Sequence, residues 1–227
     1  MRRKVIIALA VLETICFSAL AQSRSVAYNQ LNYLKRESFM KGTTKPYQDV
    51  EGTPYMDDQF KDGYIFMKEG EAVPGELRFD IYANQIQFID SGQVFTIAHP
   101  DRVDLIEIEG TIFRYLPYRA DVGEKMGYFI SLAEGQYSLY LKEARKMTEA
   151  RPPAPYQDPV PAKFVKLPDT YYLRIGANPA MKLSTKKALL EMLGNNGSQV
   201  EEYLKNEKIY LKKEPDLIKL VNHLNNK

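Results

Sequence analysis

The chain has 227 residues, with 31 Lys and Arg against 29 Asp and Glu, one Cys, two His and no Trp. Its 44% apolar content can fill the core of one large or two modest domains. A charged fraction of 26% with 16 Tyr and 10 Phe argues against disorder and against a multi-span membrane protein. A formal charge of +2 gives no electrostatic reason to expect nucleic acid, and one Cys with two His excludes a disulfide framework and leaves too few ligands for a Cys/His zinc site.

Residues 1–21 predict a signal peptide. Arg2, Arg3 and Lys4 form a cationic start, 5–12 is an apolar run extended by Ile15, Cys16 and Phe17, and Ala19-Leu20-Ala21 is a small-x-small cleavage site. Cleavage is expected between Ala21 and Gln22. Glu13 and Thr14 interrupt a stretch already shorter than the about 20 apolar residues of a membrane anchor. The residues before Cys16 (Glu13, Thr14, Ile15) are not the small ones that lipoprotein processing takes, so the expected product is exported, periplasmic or envelope-associated, and not a lipoprotein. It would have 206 residues, no cysteine, no transmembrane span and 28 basic against 28 acidic side chains. The charges divide unevenly: 22–150 holds 15 basic and 20 acidic residues, 163–227 holds 12 and 7. The two parts attract each other, the division is mere scatter, or it leaves a weakly basic tail for an acidic envelope component.

Residues 22–62 read as an irregular, partly helical lead-in, with a short helix over 26–40 presenting Leu31, Tyr33 and Leu34. Residues 63–150 read as an antiparallel β domain. In it, Leu77-Arg78-Phe79-Asp80-Ile81 alternates with the period of a half-buried strand, and further strands are predicted over 64–68, 85–89, 94–98, 103–108, 111–116, 128–132 and 137–143. Ala83-Asn84, Asp90-Ser91-Gly92, Glu109-Gly110 and Glu134-Gly135 place turn residues between them. Residues 151–162 hold five of the thirteen prolines and predict an extended connector. Residues 163–227 predict a strand over 170–175 and three helices. Ser184 would cap a helix over 185–193 that stops at Gly194, Ser198 with Glu201 forms a capping box, and Pro215 opens a helix with Leu217, Leu220, Val221 and Leu224 as its buried stripe. The fold class is α+β: an antiparallel meander forming a bent sheet or open barrel, then a small C-terminal three-helix segment.

The order of features resembles a family of uncharacterised exported proteins of Bacteroidota-type Gram-negative bacteria. The residues that carry it are Gly52-Thr53-Pro54-Tyr55, the run from Leu77 through Asn84 to Ile86, Pro161-Ala162-Lys163-Phe164, Asp169-Thr170-Tyr171-Tyr172 and Lys186-Lys187-Ala188-Leu189-Leu190, together with Gln22 after Ala21. The resemblance would cover most of the mature chain and implies localisation and fold. It carries no activity to transfer.

Motifs for chemistry are sparse. His99 and His223 are far apart, and neither Asp57-Asp58 nor Asp101 with Asp104 approaches a calcium loop, so no metal is expected. Nucleophile elbows, P-loops and dinucleotide fingerprints do not occur, and no cofactor is expected. The helices flanking Gly194-Asn195-Asn196-Gly197 faintly resemble a DNA-reading pair, but the second has no Arg-rich face. The one surplus is aromatic. Most of these rings fill a pleated core, and outward ones would line a groove for a peptide, glycan or lipid. Tyr115, Tyr118, Tyr128, Tyr171 and Tyr172 are the candidate ligand-binding residues. The expected function is a non-enzymatic envelope module binding an envelope protein or an apolar or glycan ligand. The alternatives are a hydrolase with an unrecognised carboxylate pair, or a structural or assembly factor.

Overall fold

The computed structural model describes residues 47, 49–70, 72–152 and 159–226. The predicted signal peptide, the helix over 26–40 and the middle of the proline-rich stretch lie outside the described residues. Among these, strands β1 (Val50–Glu51), β2 (Lys61–Met67), β3 (Ala72–Asp80), β4 (Gln85–Asp90), β5 (Gln93–Thr96) and β6 (Val103–Ile108) come first. Then follow β7 (Thr111–Arg119), β8 (Glu124–Ala133), β9 (Tyr137–Lys142), β10 (Arg145–Thr148), β11 (Ala162–Lys166), β12 (Thr170–Ile175) and β13 (Met181–Lys182). The helices are α1 (Lys186–Leu193), α2 (Gly197–Asn206) and α3 (Glu214–Asn225).

Ten strands form one sheet in the order β13-β12-β9-β8-β7-β6-β2-β3-β4-β5, antiparallel throughout. It is bent and does not close into a barrel. A second, three-stranded sheet has the order β1-β11-β10. The predicted turns take their expected conformations: Ser91-Gly92 and Glu109-Gly110 each put two successive residues at positive φ, the geometry that matches the twist of a tight hairpin.

Strand parity decides the layers. On β2, Gly63 and Ile65 point into the bend while Asp62, Tyr64 and Phe66 point away. The concave side of the bend is filled by Ile65, Leu77, Phe79, Ile86, Phe88, Phe95, Ile106, Phe113 and Tyr128, among others. β9 carries the same face onward. Leu141 belongs to this core and Leu139, two residues before it, belongs to a second one made with Leu173, Leu189, Val200, Leu204, Leu217, Leu220, Val221 and Leu224. The three helices therefore cover the same face of the sheet beside the first core, and the predicted strand over 170–175 is part of the main sheet through its pairing with β9.

Two asparagine side chains hold main-chain groups that no strand reaches. Tyr128 donates its N–H to Asn84 Oδ1 at 2.8 Å and accepts from Asn84 Nδ2 at 3.1 Å. Asn84 thereby ties the β3–β4 turn to β8 just beyond the last paired residues of β9. Likewise Tyr137 N–H donates to Asn225 Oδ1 at 2.9 Å, and Asn225 Nδ2 donates to the Tyr137 carbonyl at 2.8 Å, fixing the end of α3 to β9. The helix starts differ from expectation. Thr185, not Ser184, caps α1 by accepting from the Ala188 N–H, and α2 begins at Gly197 with no side-chain cap. Ser198 has been drawn into the first turn because the Gly194–Asn196 segment is itself wound as a 3-10 turn that runs straight into α2.

Candidate functional site

The five candidate tyrosines do not share one surface. Parity puts Tyr115 and Tyr128 on the concave side, ring centroids 4.9 Å apart, with Tyr171 reaching both cores from β12. Tyr118 and Tyr172 lie on the convex side, 5.7 Å apart and edge-to-face, in a cluster with Leu116, Phe129, Tyr140 and Ala180. Two of the five are interior side chains, since Tyr128 is 3% and Tyr172 is 7% exposed.

On the concave side, burial pushes the Tyr128 phenol well above its ordinary value, with a smaller contribution from Tyr115. Among the described residues its hydroxyl has no hydrogen-bond partner. An unsatisfied buried hydroxyl costs about 1–3 kcal/mol. Burial first, then the Asp101 carboxylate, raises the Tyr115 phenol. Tyr171 is raised by burial and by Glu214, whose Oε2 accepts its hydroxyl at 3.4 Å. Met67, Tyr115, Leu132 and Tyr171 are half-buried side chains packed on the rim of this core.

The convex side divides into three regions. At one end, Tyr47, residues 49–60 and β11 cover Arg78 and Asp80 of β3. The Arg78 guanidinium lies 3.5 Å from the Tyr55 ring centroid and 4.2 Å from that of Phe60. It donates from Nε and Nη2 to Gln87 Oε1 and from Nη1 to the Asp58 carbonyl. Asp80 is 1% exposed, and accepts from the Tyr47 hydroxyl at 2.9 Å on Oδ2 and from the Ala83 N–H at 2.8 Å on Oδ1. Burial raises its pKa despite these donors. Tyr47, Tyr82 and Phe164 pack edge-to-face around it. Sequence reasoning missed this cluster, although Gly52-Thr53-Pro54-Tyr55 and Phe164 were both in view. Both oxygens of Asp80 are engaged and the guanidinium is sandwiched, so the arrangement fastens the lead-in to the sheet.

At the other end, Lys142 Nζ lies 3.7 Å from the Tyr118 ring centroid and 5.0 Å from that of Phe129, a cation held on aromatic faces. Between the two ends, the convex face presents an apolar band interrupted by Glu107. Tyr64 stands opposite Pro74 on β3 and Glu107 on β6, and Glu107 stands opposite Ile112 on β7. Phe66 pairs with Ala72 and Leu105 in the next row. Tyr64 is 48% and Ile112 36% exposed. Arg114 borders the band, held at 2.8 Å by both Asp104 and Glu134.

Among the described residues no group of three or more His, Cys, Asp and Glu is placed to hold a metal ion, and no helix is long and apolar enough to cross a membrane. A shallow depression between α1 and α2, lined by Lys186, Lys187, Leu190, Glu191 and Glu201 among others, is open to solvent. Compared with known proteins, the chain matches no family model, no curated protein and no solved structure.

Proposed function

We propose that the protein is an exported, non-enzymatic module of the cell envelope that binds another envelope protein through the convex face of its large sheet. Export rests on the cationic, apolar and small-residue order of 1–21. The binding reading rests on one observation: Tyr64 and Ile112 stand exposed on a band with Pro74 and Phe66, while the opposite face of the same strands is filled by side chains. An exposed aromatic and aliphatic surface on a sheet, here with Glu107 set between Tyr64 and Ile112, is the kind of surface a protein partner buries. A glycan would be better served by flat rings beside planar polar side chains. Ala72, Pro74 and Leu105 on this face are aliphatic instead, and of the two polar side chains beside Tyr64 and Ile112, Glu107 and Arg114, the guanidinium is already held by Asp104 and Glu134. The hydrolase reading draws no support from Asp80, whose oxygens are already used.

The test is affinity capture from native envelope with the chain beginning at Gln22, beside a Tyr64→Asp, Ile112→Asp double variant of unchanged circular dichroism. A partner recovered by the wild type and lost with the variant is the expected result. Equal recovery by both proteins, or no partner with either, overturns the proposal.

A further inference from the structure

The convex face carries an electrostatic cost that nothing among the described residues offsets. Asp62 on β2 and Glu76 on β3 stand directly opposite each other, both exposed and both on this face. Like charges directly opposite across a strand pair are destabilising. Neither side chain has an ion pair or a hydrogen bond among the described residues. The cations nearby are engaged elsewhere. Arg78, two residues from Glu76, lies against the Tyr55 and Phe60 rings and donates to Gln87 and the Asp58 carbonyl. Lys61 reaches Asp57 at 3.4 Å and Glu109 at 3.7 Å, and Arg114 is held by Asp104 and Glu134. Two residues along the same strands, and so on the same face, stand the exposed pair Tyr64 and Pro74, with Glu107 on the other side of Tyr64. Glu107 accepts from the Gly110 N–H, and among the described residues it too has no cation.

We propose that the segment docking on this face is cationic, with Lys or Arg side chains over Asp62 and Glu76 beside an apolar side chain on Tyr64 and Pro74. The proposal rests on the reading of the convex face as a protein-binding surface and names the chemistry of the partner. Charge complementarity selects that partner. A cation set between the two carboxylates turns one repulsion into two attractions, so binding removes a cost that the free protein carries. An acidic protein or an anionic lipid surface would add like charge to Asp62, Glu76 and Glu107 and is rejected. Register sets the spacing. The carboxylate row and the Tyr64 row are two residues apart along each strand, which an extended segment matches with a cationic and an apolar side chain at i and i+2.

The probe is a peptide repeating Lys-Ser-Leu-Ser, compared with repeats of Gln-Ser-Leu-Ser and Glu-Ser-Leu-Ser, with binding to the chain beginning at Gln22 followed by amide and tyrosine-ring chemical shifts. The wild type is expected to bind the lysine peptide with shifts on β2, β3 and β6, about tenfold or more tightly than the glutamine peptide, and less tightly as salt rises. Asp62→Asn with Glu76→Gln is expected to erase that preference. Because it removes the opposed charges, it is also expected to raise the urea midpoint of the free protein. Asp62→Lys, which forms the missing pair within the chain, is expected to raise the midpoint too and to weaken the lysine peptide. The proposal is overturned by a wild type that does not bind the lysine peptide, by equal binding of the glutamine or glutamate peptide, by a preference that survives the double variant, or by a midpoint that falls in it. The two readings fail separately in the envelope capture. A native partner lost with Tyr64→Asp, Ile112→Asp but retained with Asp62→Asn, Glu76→Gln leaves the convex face a binding surface and overturns its cationic occupant. A partner retained by both variants overturns both.

Discussion

Asp80 sits in the outward-facing register of β3, where the alternation of Leu77, Phe79 and Ile81 puts a polar residue, yet it is almost wholly buried. Periodicity tells which face a residue takes and says nothing of what later covers that face. Here the cover comes from Tyr47, 33 residues earlier, and Phe164, far later in the chain. Replacing Asp80 with Asn should destabilise the protein by about 1–3 kcal/mol, the usual cost of leaving a buried donor unsatisfied, since an amide cannot accept on both sides. The loss should depend on pH. Burial holds the folded-state pKa of Asp80 above its unfolded value of about 3.9. Between those two values the folded state binds the extra proton, so this group's contribution to stability falls as pH rises. Asp80→Asn removes that slope. The gap between wild type and variant in urea unfolding should therefore shrink as pH climbs through the window, and a gap that widens would contradict the assignment. Gly63 makes a second residue-scale case. A Cβ there would collide with the Glu107 carbonyl across the β2–β6 pair and press on Leu77 at 2.9 Å. Because backbone cannot give way as a side-chain tip can, Gly63→Ala should cost about 3 kcal/mol, the upper end of overpacking penalties.

The elements were legible where they were long and alternating. The predicted 103–108 strand is β6 to the residue, and the expected strands between 64 and 143 all exist with ends moved by a few positions. β1, β10, β11 and β13 were not read. They are two to five residues long, and β10 is Arg-Lys-Met-Thr, with no apolar alternation to see. β1 takes its stability from a partner distant in sequence, Val50 standing beside Ala162, and β10 pairs with β11 across the proline-rich stretch. Asn84 lies between these cases. Its positive φ of 52° was implied by its place in a turn, but its amide clamp on Tyr128, 44 residues away, was not. Asn84→Gly keeps the turn conformation accessible and removes only the clamp. It should cost about 1–3 kcal/mol through the two unpaired backbone groups of Tyr128, and amide exchange at Tyr128 should rise while that at Phe113 stays protected. Asn84→Ala should cost more, because it adds the left-handed backbone strain. At the helices, Thr185→Ala should cost about 1 kcal/mol as a true N-cap, and Ser184→Ala close to nothing.

At the scale of the molecule, the bent sheet and the helical segment share β9. Leu139 is fully buried in the helical core, Leu141 in the concave one, and Tyr171 touches both. No short helix of this length persists alone in water, so α1–α3 owe their existence to the sheet face beneath them. The sequence reading separated 163–227 as a tail because proline marks a break in regular structure. It could not show that the chain re-enters the same sheet at β12, since pairing with β9 is a long-range contact. The pairing makes a definite claim about cooperativity. Leu139→Ala leaves a cavity where β9, β12 and α3 meet and should cost about 2–5 kcal/mol. If the two cores unfold as one unit, far-ultraviolet ellipticity of the helices and near-ultraviolet signals of the concave tyrosines should move to the new midpoint together. A helical transition that shifts alone, leaving the Tyr115 and Tyr128 signal at its wild-type midpoint, would mean that β9 joins two independently stable bodies rather than one.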